Sequence, residues 1–544
     1  MRPSIPRPAL RRPAVAVAVL SLALAACSSI DTPAGQSAAT TAGNQTAKNG
    51  GTLVVALSDE PDALDPTTAR TLVGRAVFTS ICEKLYDINA KLDIIPQLAA
   101  SMPETSADGK TVTIKLKTGV KFADGTAMDG AAVKTSLDRD LTLATSARKS
   151  DLASVQEVTV TDPGTVVLHL KSPFAPLVAQ LADRAGMVMS PAALKSEGED
   201  FGAKPVCVGP FKFQSRVAQD HIDVVKDPNY YDAANVKLDK VSYKIIADST
   251  TRFNNLRSGD VQVLDAVAPT DVDSLQADST LSLLTSDSLG YQGITVNIGN
   301  VNGVGKPAAT LPAKLASTMA TDPRVRQAFE LSLDRDAINK VVFQGKFAPA
   351  CGPISPDSPF SSDAAQVCTK HDPAAAKALL QQAGVQTPLR ISMIVANTPD
   401  ATRLGQAIQA QVKDGGFDLR LVPTEFASSL DQTDAGDYQM FQIGWSGRVD
   451  PDGNISNFVS SEGSQNNNGY SNSTVDTLIG QSQAKSDPAE RAQLFGQVVT
   501  QLHKDLPIIY LYRLKNFTGV SKTVVGVQMY GDGLMRFAHA GFAG

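Results

Sequence analysis

Between residues 389 and 445 the spacing of hydrophobic and polar positions switches between two periods. Apolar and polar residues alternate over 389–395, 417–421 and within 438–445, which is the two-residue period of a β-strand. The segments between them, about 400–413 and 428–435, have the composition and length of helices. This β-α-β-α-β order predicts three parallel strands joined by right-handed crossovers.

Open parallel sheets bind ligands in the crevice beyond the carboxyl ends of their strands. The third predicted strand ends at Trp445, and an earlier apolar strand, 53–57, runs into a loop broken by Pro61 and Pro66. Trp445 is the only tryptophan of the chain, and it offers a stacking surface for a sugar or an apolar side chain. The alternative for Trp445 is plain packing between lobes. By position, the predicted ligand contacts are Trp445, Arg448, Asp450, Asn397, Tyr470, Arg70 and Thr71.

A second pattern, of short alternating segments, occupies an earlier part of the chain. Strand-like alternation runs over 111–116 and 165–170, and a turn signal at Asp124-Gly125 lies between them. These segments predict a mainly β insertion between about 86 and 204.

The first residues have the charge order of a secretory signal. Four arginines precede an apolar run over 14–26, which is too short to span a bilayer, and small residues lead into Cys27. This junction resembles the lipobox of bacterial lipoproteins, so we expect residues 1–27 to contain the signal and Cys27 to carry the lipid. An ordinary cleaved signal with an incidental cysteine is the disfavoured alternative. Residues 28–49 are small and polar and predict a flexible tether.

Length and charge narrow the class of protein. Roughly 490 residues follow the tether, which favours two or three lobes. Removing the signal lowers the formal net charge from −5 to −9, because the signal contains four arginines and no acidic residue. This balance argues against nucleic-acid binding. No segment after the signal is apolar enough for a membrane helix, so we expect an extracytoplasmic protein held at the membrane by its lipid alone.

The motifs of catalysis and cofactor binding are missing from the sequence. The segment Gly444-Trp445-Ser446-Gly447-Arg448 lacks the final glycine of a nucleophile elbow. The five histidines lack metal-ligand spacing, and no phosphate-binding loop is present. We therefore expect neither an enzyme nor a bound metal or cofactor.

Four cysteines remain besides Cys27, and an even number in an exported chain indicates disulfides. Three pairings are possible. We favour Cys351 with Cys368, which would clip a Pro/Ser-rich loop and stabilise by roughly 3 kcal/mol. Cys82 with Cys207 then follows, and buried free thiols are the alternative.

Eight segments in order resemble the family-5 extracellular solute-binding proteins, which include dipeptide, oligopeptide and nickel receptors. The segments are GGTLVVALSDEPDALDP from Gly50, DGKTVTIKLKTGVKFADGTAMDGAAV from Asp108, PVCVGPFKF from Pro205, DPNYYD from Asp227, LRSGDVQ from Leu256, DPRVRQAFELSLDRDAI from Asp322, HDPAAAKALLQQAG from His371 and GDYQMFQIGW from Gly436. The resemblance spans essentially the whole chain after the tether.

The resemblance implies an α/β, two-lobed periplasmic-binding-protein-like fold of type II, similar to cluster C, with an extra β-rich subdomain in the first lobe. Lobe I would comprise 50–85, the β-rich 86–204, 205–285 and 511–544, and lobe II would comprise 286–510. Such a receptor closes on a small solute by hinges near 286 and 510 and delivers it to the permease subunits of an ATP-binding-cassette (ABC) importer. We expect a monomer whose solute is a peptide, a modified peptide, an opine or an oligosaccharide. A secreted hydrolase, or a free-standing surface sensor or adhesin, are the alternatives.

Two positions depart from the dipeptide receptors that the chain resembles. Where those receptors have an aspartate for the ammonium group of the peptide, this chain has Arg448, and where they have an arginine for the carboxylate it has Val395. Like charges about 4 Å apart cost on the order of 4 kcal/mol, so a free amino terminus at Arg448 is disfavoured. Arg448 would suit a carboxylate or phosphate. Alternatively it faces solvent, or pairs internally with Asp450 or Asp452.

Overall fold

A computed structural model describes residues 39–40, 46–308, 311 and 317–544. The predicted signal, Cys27 and most of the tether lie outside the described residues. No helix in the described part of the chain has both the length and the apolarity needed to cross a membrane.

The strands, in chain order, are β1 Ala39–Thr40, β2 Ala47–Lys48, β3 Thr52–Leu57, β4 Tyr86–Ile88, β5 Ile94–Pro96, β6 Glu104–Thr105, β7 Thr111–Lys115, β8 Val155–Asp162, β9 Thr165–Leu170, β10 Phe211–Val217, β11 His221–Lys226, β12 Lys240–Ile245, β13 Val263–Leu264, β14 Leu281–Asp287, β15 Tyr291–Val296, β16 Ala348–Pro349, β17 Leu389–Ala396, β18 Phe417–Thr424, β19 Met440–Trp445, β20 Ile508–Arg513, β21 Lys515–Ser521, β22 Val524–Val525, β23 Gln528–Met529, β24 Met535–Arg536 and β25 Gly541–Ala543.

The α-helices are α1 Leu72–Ile81, α2 Gly130–Thr142, α3 Leu177–Gln180, α4 Pro191–Glu197, α5 Ser249–Ser258, α6 Val272–Ala277, α7 Thr318–Thr321, α8 Pro323–Leu331, α9 Arg335–Phe343, α10 Pro373–Gln382, α11 Pro399–Asp414, α12 Phe426–Asp434, α13 Asp452–Val459, α14 Ser473–Gln483 and α15 Pro488–Asp505. Short 3-10 segments occur at Arg184–Gly186, Gly198–Ala203 and Asp363–Gln366.

Lobe I is built on a seven-stranded sheet in the order β10-β11-β12-β3-β13-β21-β14. Its central strands β12, β3 and β13 are parallel neighbours, and the remaining neighbours pair antiparallel. A separate four-stranded antiparallel sheet, β6-β7-β9-β8, is formed within 104–170, inside the stretch predicted to be β-rich. Leu53, Val55 and Leu57 of β3 have no exposed surface and lie in the core of this lobe.

Lobe II is built on a six-stranded sheet in the order β16-β20-β15-β19-β17-β18. Strand β17 pairs parallel with β18 on one side and with β19 on the other, so the predicted parallel β-α-β-α-β unit is confirmed. Helix α11 packs closely over it, because a Cβ on Gly405 would lie 3.2 Å from the side chain of Val395 and 3.1 Å from that of Leu421. The two-lobed α/β fold expected from the sequence is therefore present.

The chain crosses between the two sheets twice, at adjacent places. It passes from β14 to β15 through residues 288–290 and returns from β20 to β21 at Leu514, close to the expected hinges near 286 and 510. The amide of Ser288 donates to the carbonyl of Leu514 over 3.1 Å, so the crossings run side by side. A Cβ on Gly290 would lie 1.8 Å from the carbonyl oxygen of Trp445, which only glycine avoids.

Both expected disulfides are present. Cys82 bonds to Cys207 and Cys351 bonds to Cys368, with Cα atoms 4.9 Å and 5.0 Å apart. The first bridge joins the end of α1 to the chain as it returns from the β-rich part of lobe I. It closes a much longer segment than the second, 125 against 17 residues.

Loop length predicts that the two bridges stabilise unequally. Replacing Cys82 and Cys207 by serine should lower the free energy of unfolding by roughly 4–5 kcal/mol, against about 3 kcal/mol for Cys351 and Cys368, because longer closed loops restrict the unfolded chain more. Urea unfolding of the two double variants measures this difference. An equal or reversed order would contradict the entropic explanation.

Candidate functional site

A cavity of about 480 Å³ lies between the two lobes. Residues at the ends of parallel strands line it. In lobe I these are Ser58 and Asp59 after β3 and Asp265 after β13, and in lobe II they are Ala396 and Trp445, the last residues of β17 and β19. Since parallel strands direct their carboxyl ends to one edge of a sheet, each lobe presents that edge to the cavity. The arrangement is that of a binding site enclosed by two sheets.

Aromatic side chains cover much of the cavity wall near the crossings. The ring of Phe347 stacks on Tyr512 of lobe II with centroids 5.5 Å apart, and on Phe517 of lobe I with centroids 6.0 Å apart. All three rings line the cavity, together with Phe343. Apolar flat surfaces beside polar groups suit a small solute that carries both kinds of group.

Three of the predicted ligand contacts line this cavity. Trp445 is 7% exposed and is oriented by a hydrogen bond of 3.0 Å from its Nε1 to Asn454 Oδ1. Arg70 lies in the cavity wall and pairs with Asp434 of α12, which links lobe I to lobe II. Thr71 caps α1 through its Oγ1, which accepts from the amide of Gly74.

Arg448 lies behind the wall, outside the described lining of the cavity. Its guanidinium group stacks on Trp445 at 4.2 Å from the ring centroid and forms an ion pair with Asp183 of lobe I. Its partner is thus neither of the acids considered from sequence: Asp450 instead receives two hydrogen bonds, of 2.6 and 2.7 Å, from Arg491. Asp450 is 7% exposed and, like Arg448, has its charge balanced within the protein.

The remaining predicted contacts also lie outside the described lining. Tyr470 is 4% exposed in the core of lobe II, and its hydroxyl donates to Asp505. Asn397 is exposed, and Val395 is fully buried beneath α11, whereas their neighbours Ala396 and Thr398 face the cavity. A shift of one residue along an extended strand moves a side chain to the other face, which explains the difference.

Sequence reasoning missed several wall residues, notably Asp59, Asp265 and Arg252. Asp265 directly follows β13 and Asp59 lies two residues after β3, so the strand-end rule used for Trp445 also applies to them. Phe347 and Phe517 belong to different lobes, and no local pattern in the sequence indicated that they would line the same cavity. No group of metal-ligating side chains is found among the described residues.

Residues 93–466 match the bacterial extracellular solute-binding proteins, family 5. The chain belongs to this family. The glutathione-binding protein GsiB of Escherichia coli is 27% identical over 492 residues, which cover 88% of this chain and 92% of that protein. As a family-5 protein, this chain acts outside the cytoplasm in binding solutes.

Solved structures of similar proteins have the same fold. The binding protein AgaA from A. tumefaciens, in complex with agropinic acid, is 28% identical with a TM-score of 0.79, and the match covers 90% of this chain and 96% of that one. A dipeptide-binding protein from a Pseudoalteromonas species, in complex with Met-Leu, is 19% identical with a TM-score of 0.81, covering 90% and 100%. These relatives are binding proteins, and the type II two-lobed fold is shared with them.

In this solute-binding protein the lobes also meet through a buried ion-pair network. Asp183 of lobe I lies between Arg448 of lobe II and Arg75 of α1. The Nε atom of Arg75 is 3.1 Å from Oδ1 of Asp183. Arg75 also donates to Ser446 Oγ over 3.1 Å, and Ser446 lines the cavity. Burial alone raises the pKa of Asp183, but the guanidinium groups of Arg448, Arg75 and Arg184 outweigh it and hold the pKa well below its usual range. Asp183 therefore remains ionised.

We predict that Asp183→Asn lowers the free energy of unfolding at pH 7 by about 3 kcal/mol, because it leaves Arg75 and Arg448 buried without their counter-charge. Urea unfolding measures the change. The matched control is Asp138→Asn, which removes an exposed ion pair with Lys134 and should cost under about 0.5 kcal/mol. Equal effects of the two substitutions would contradict a role for Asp183 in joining the lobes.

Proposed function

We propose that this protein captures a small peptide-like or other hydrophilic solute in the interlobe cavity and delivers it to the permease subunits of an ABC importer, without catalysing a reaction. The observation that carries the proposal is the cavity itself. It lies at the carboxyl ends of parallel strands from both lobes and beside the two crossings, so movement about the crossings opens or closes it.

The size and composition of the cavity support a small solute that is part polar and part apolar. A volume of about 480 Å³ falls within the range of small-molecule sites. Relatives bind solutes of this kind: GsiB binds glutathione, AgaA binds agropinic acid, and the dipeptide-binding protein binds Met-Leu. A similar class of solute is our proposal for this chain.

Among the residues predicted from sequence, we assign contact with the solute to Trp445, Arg70 and Thr71. Arg448 supports the wall by stacking behind Trp445. Asp450 and Tyr470 hold lobe II together through Arg491 and Asp505. In this proposal the lobe boundaries follow the sheets, with the second crossing at Leu514 instead of 510.

Trp445 gives a direct test, since it is the only tryptophan in the sequence and lines the cavity. We expect its fluorescence to shift when a dipeptide, tripeptide or opine binds, and the melting temperature to rise, because a ligand at a hundred times its Kd stabilises by about 2.7 kcal/mol. Trp445→Phe should retain the thermal shift and lose the fluorescence signal. Multiple-turnover cleavage of any bound compound would show a hydrolase and contradict the proposal.

We further propose that Cys27 is acylated and holds the protein, as a monomer, on the outer side of the cell membrane. The proposal rests on the small residues that lead into Cys27 and on the polar stretch that follows. Cys27→Ser should move the protein from the membrane fraction to the soluble fraction of the producing cell and abolish incorporation of labelled fatty acid. Unchanged membrane association of Cys27→Ser would argue for another means of attachment.

A further inference from the structure

Two carboxylates of lobe I meet at the wall of the cavity because their strands are parallel neighbours. Strand β13 pairs with β3 in the register Val263 to Val55 and Leu264 to Ala56. Asp59 and Asp265, which follow these strands, therefore lie at the same edge of the lobe I sheet. Ser58 Oγ donates to Asp265 Oδ2 over 3.1 Å, which holds the two chain segments together.

These carboxylates differ from three other charged groups in the wall, Arg70, Arg403 and Lys515, which have partners of opposite charge. Arg70 pairs with Asp434, Arg403 with Asp400 at 2.6 Å, and Lys515 with Asp287 at 3.7 Å. Among the described residues, neither Asp59 nor Asp265 has a cation within 4.0 Å, and Asp265 Oδ1 has no hydrogen-bond donor.

Arg252 of α5 acts electrostatically on both carboxylates, but its hydrogen bonds are directed elsewhere. It is 3% exposed, and its Nη1 donates to the carbonyls of Ile246 and Ala247 at 2.8 Å. Its Nη2 donates to the carbonyl of Ala266 at 3.2 Å. Both terminal nitrogens are thus engaged by backbone oxygens, and one guanidinium charge beside two carboxylates leaves an excess of negative charge.

Both carboxylates have a raised pKa, and burial is the main cause. Burial raises the pKa of Asp59 to about 6, Glu425 at the start of α12 and Asp265 raise it too, and Arg252 opposes them. Burial likewise raises the pKa of Asp265 to about 6, again opposed by Arg252. A cation placed between the two would favour their ionised forms.

The opposite wall, in lobe II, presents amide groups that also lack partners. Gln465 is 8% exposed, and its Nε2 finds no acceptor among the described residues. Gln442 Oε1 likewise finds no donor there. Both side chains line the cavity. One donor and one acceptor facing a site of this size match the backbone amides of a short peptide.

We propose that Asp59 and Asp265 of lobe I form the subsite for the ammonium group of the solute, while Gln442 and Gln465 of lobe II bind its amides. The proposal rests on the proposed function and assigns this subsite within the same cavity. It places the ammonium group away from the loop after Trp445. The carboxylates at that loop are already paired: Asp183 of lobe I with Arg448, and Asp450 with Arg491. The apolar side chains of the solute would pack on Phe347, Tyr512 and Phe517.

The test uses matched probes: Met-Leu, Ala-Phe and a Leu-Phe-Ala tripeptide, each with a free and with an acetylated amino terminus, plus glutathione and an opine. Binding to the purified protein is measured by titration calorimetry and thermal shift at pH 5 and pH 7.5. The variants are Asp59→Asn and Asp265→Asn. The control, Asp260→Asn, changes an exposed aspartate three residues before β13 that accepts from Ser258.

We expect the free amines to bind the wild type and the acetylated forms to bind about tenfold to a hundredfold more weakly, as for the loss of a charged hydrogen bond. Asp59→Asn and Asp265→Asn should weaken the free amines by a similar factor, and Asp260→Asn should not. Binding of the amines requires ionised carboxylates, so it should weaken as the pH falls through about 6, and this pH dependence should diminish in the two variants.

Neither variant should fail to fold. A carboxyl with a raised pKa contributes stability at low pH that is lost as the pH rises through about 6, so a neutral amide should hold or raise the melting temperature at pH 7.5. The acetylated probes test the idea on the wild type in any case. Equal binding of free and acetylated probes, or unchanged binding by both variants, would overturn the cation site while leaving the receptor function intact. Binding of no probe at all would overturn the proposed function and this inference together.

Discussion

The joining of the two lobes depends on the position of Asp183 between Arg75 and Arg448. Arg75 of lobe I and Arg448 of lobe II share this one carboxylate away from water. Separating the lobes would therefore take Arg448 away from its buried counter-charge. Arg448 stacks on Trp445, and Arg75 donates to Ser446, so the same network sets the position of the cavity wall. The ion pairs thus couple the contact between the lobes to the shape of the site, although Arg75, Arg448 and Asp183 lie outside the described lining of the cavity.

The cavity itself follows from strand direction. In lobe I, β12, β3 and β13 run parallel, and in lobe II, β17, β18 and β19 do so, and both sets direct their carboxyl ends to the space between the sheets. The crossings at 288–290 and Leu514 hold the sheets close at one side, where Tyr512 and Phe517 flank the second crossing and stack with Phe347. The glycines at 290 and 447 let the crossing and the loop after β19 approach within contact distance.

The loop after Trp445 illustrates how charge in a sequence differs from charge available to a ligand. Arg448, Asp450 and Asp452 look like a polar binding loop when read along the chain. In the fold, Arg448 meets Asp183, Asp450 meets Arg491, and Asp452 accepts from Ser456 and Gln483. Charged groups buried this deeply are stable only with partners, so their pairing inside the protein is the expected outcome. The unbalanced carboxylates are at Asp59 and Asp265, in the other lobe.

The sequence by itself determined the alternating strands β7 and β9, the parallel unit of lobe II and the family, and it predicted Trp445, Arg70 and Thr71, which line the cavity. These features depend on local periodicity, on connection length, or on segments that can be matched one at a time. Only the tertiary structure decided which strand ends share a wall and which charges are already paired. Ser58 meets Asp265 across 207 residues, Arg70 meets Asp434 across 364, and Arg75 meets Ser446 across 371. No periodic pattern encodes such pairs, because they are set by the packing of whole sheets, and a side-chain direction on a strand changes with every single residue.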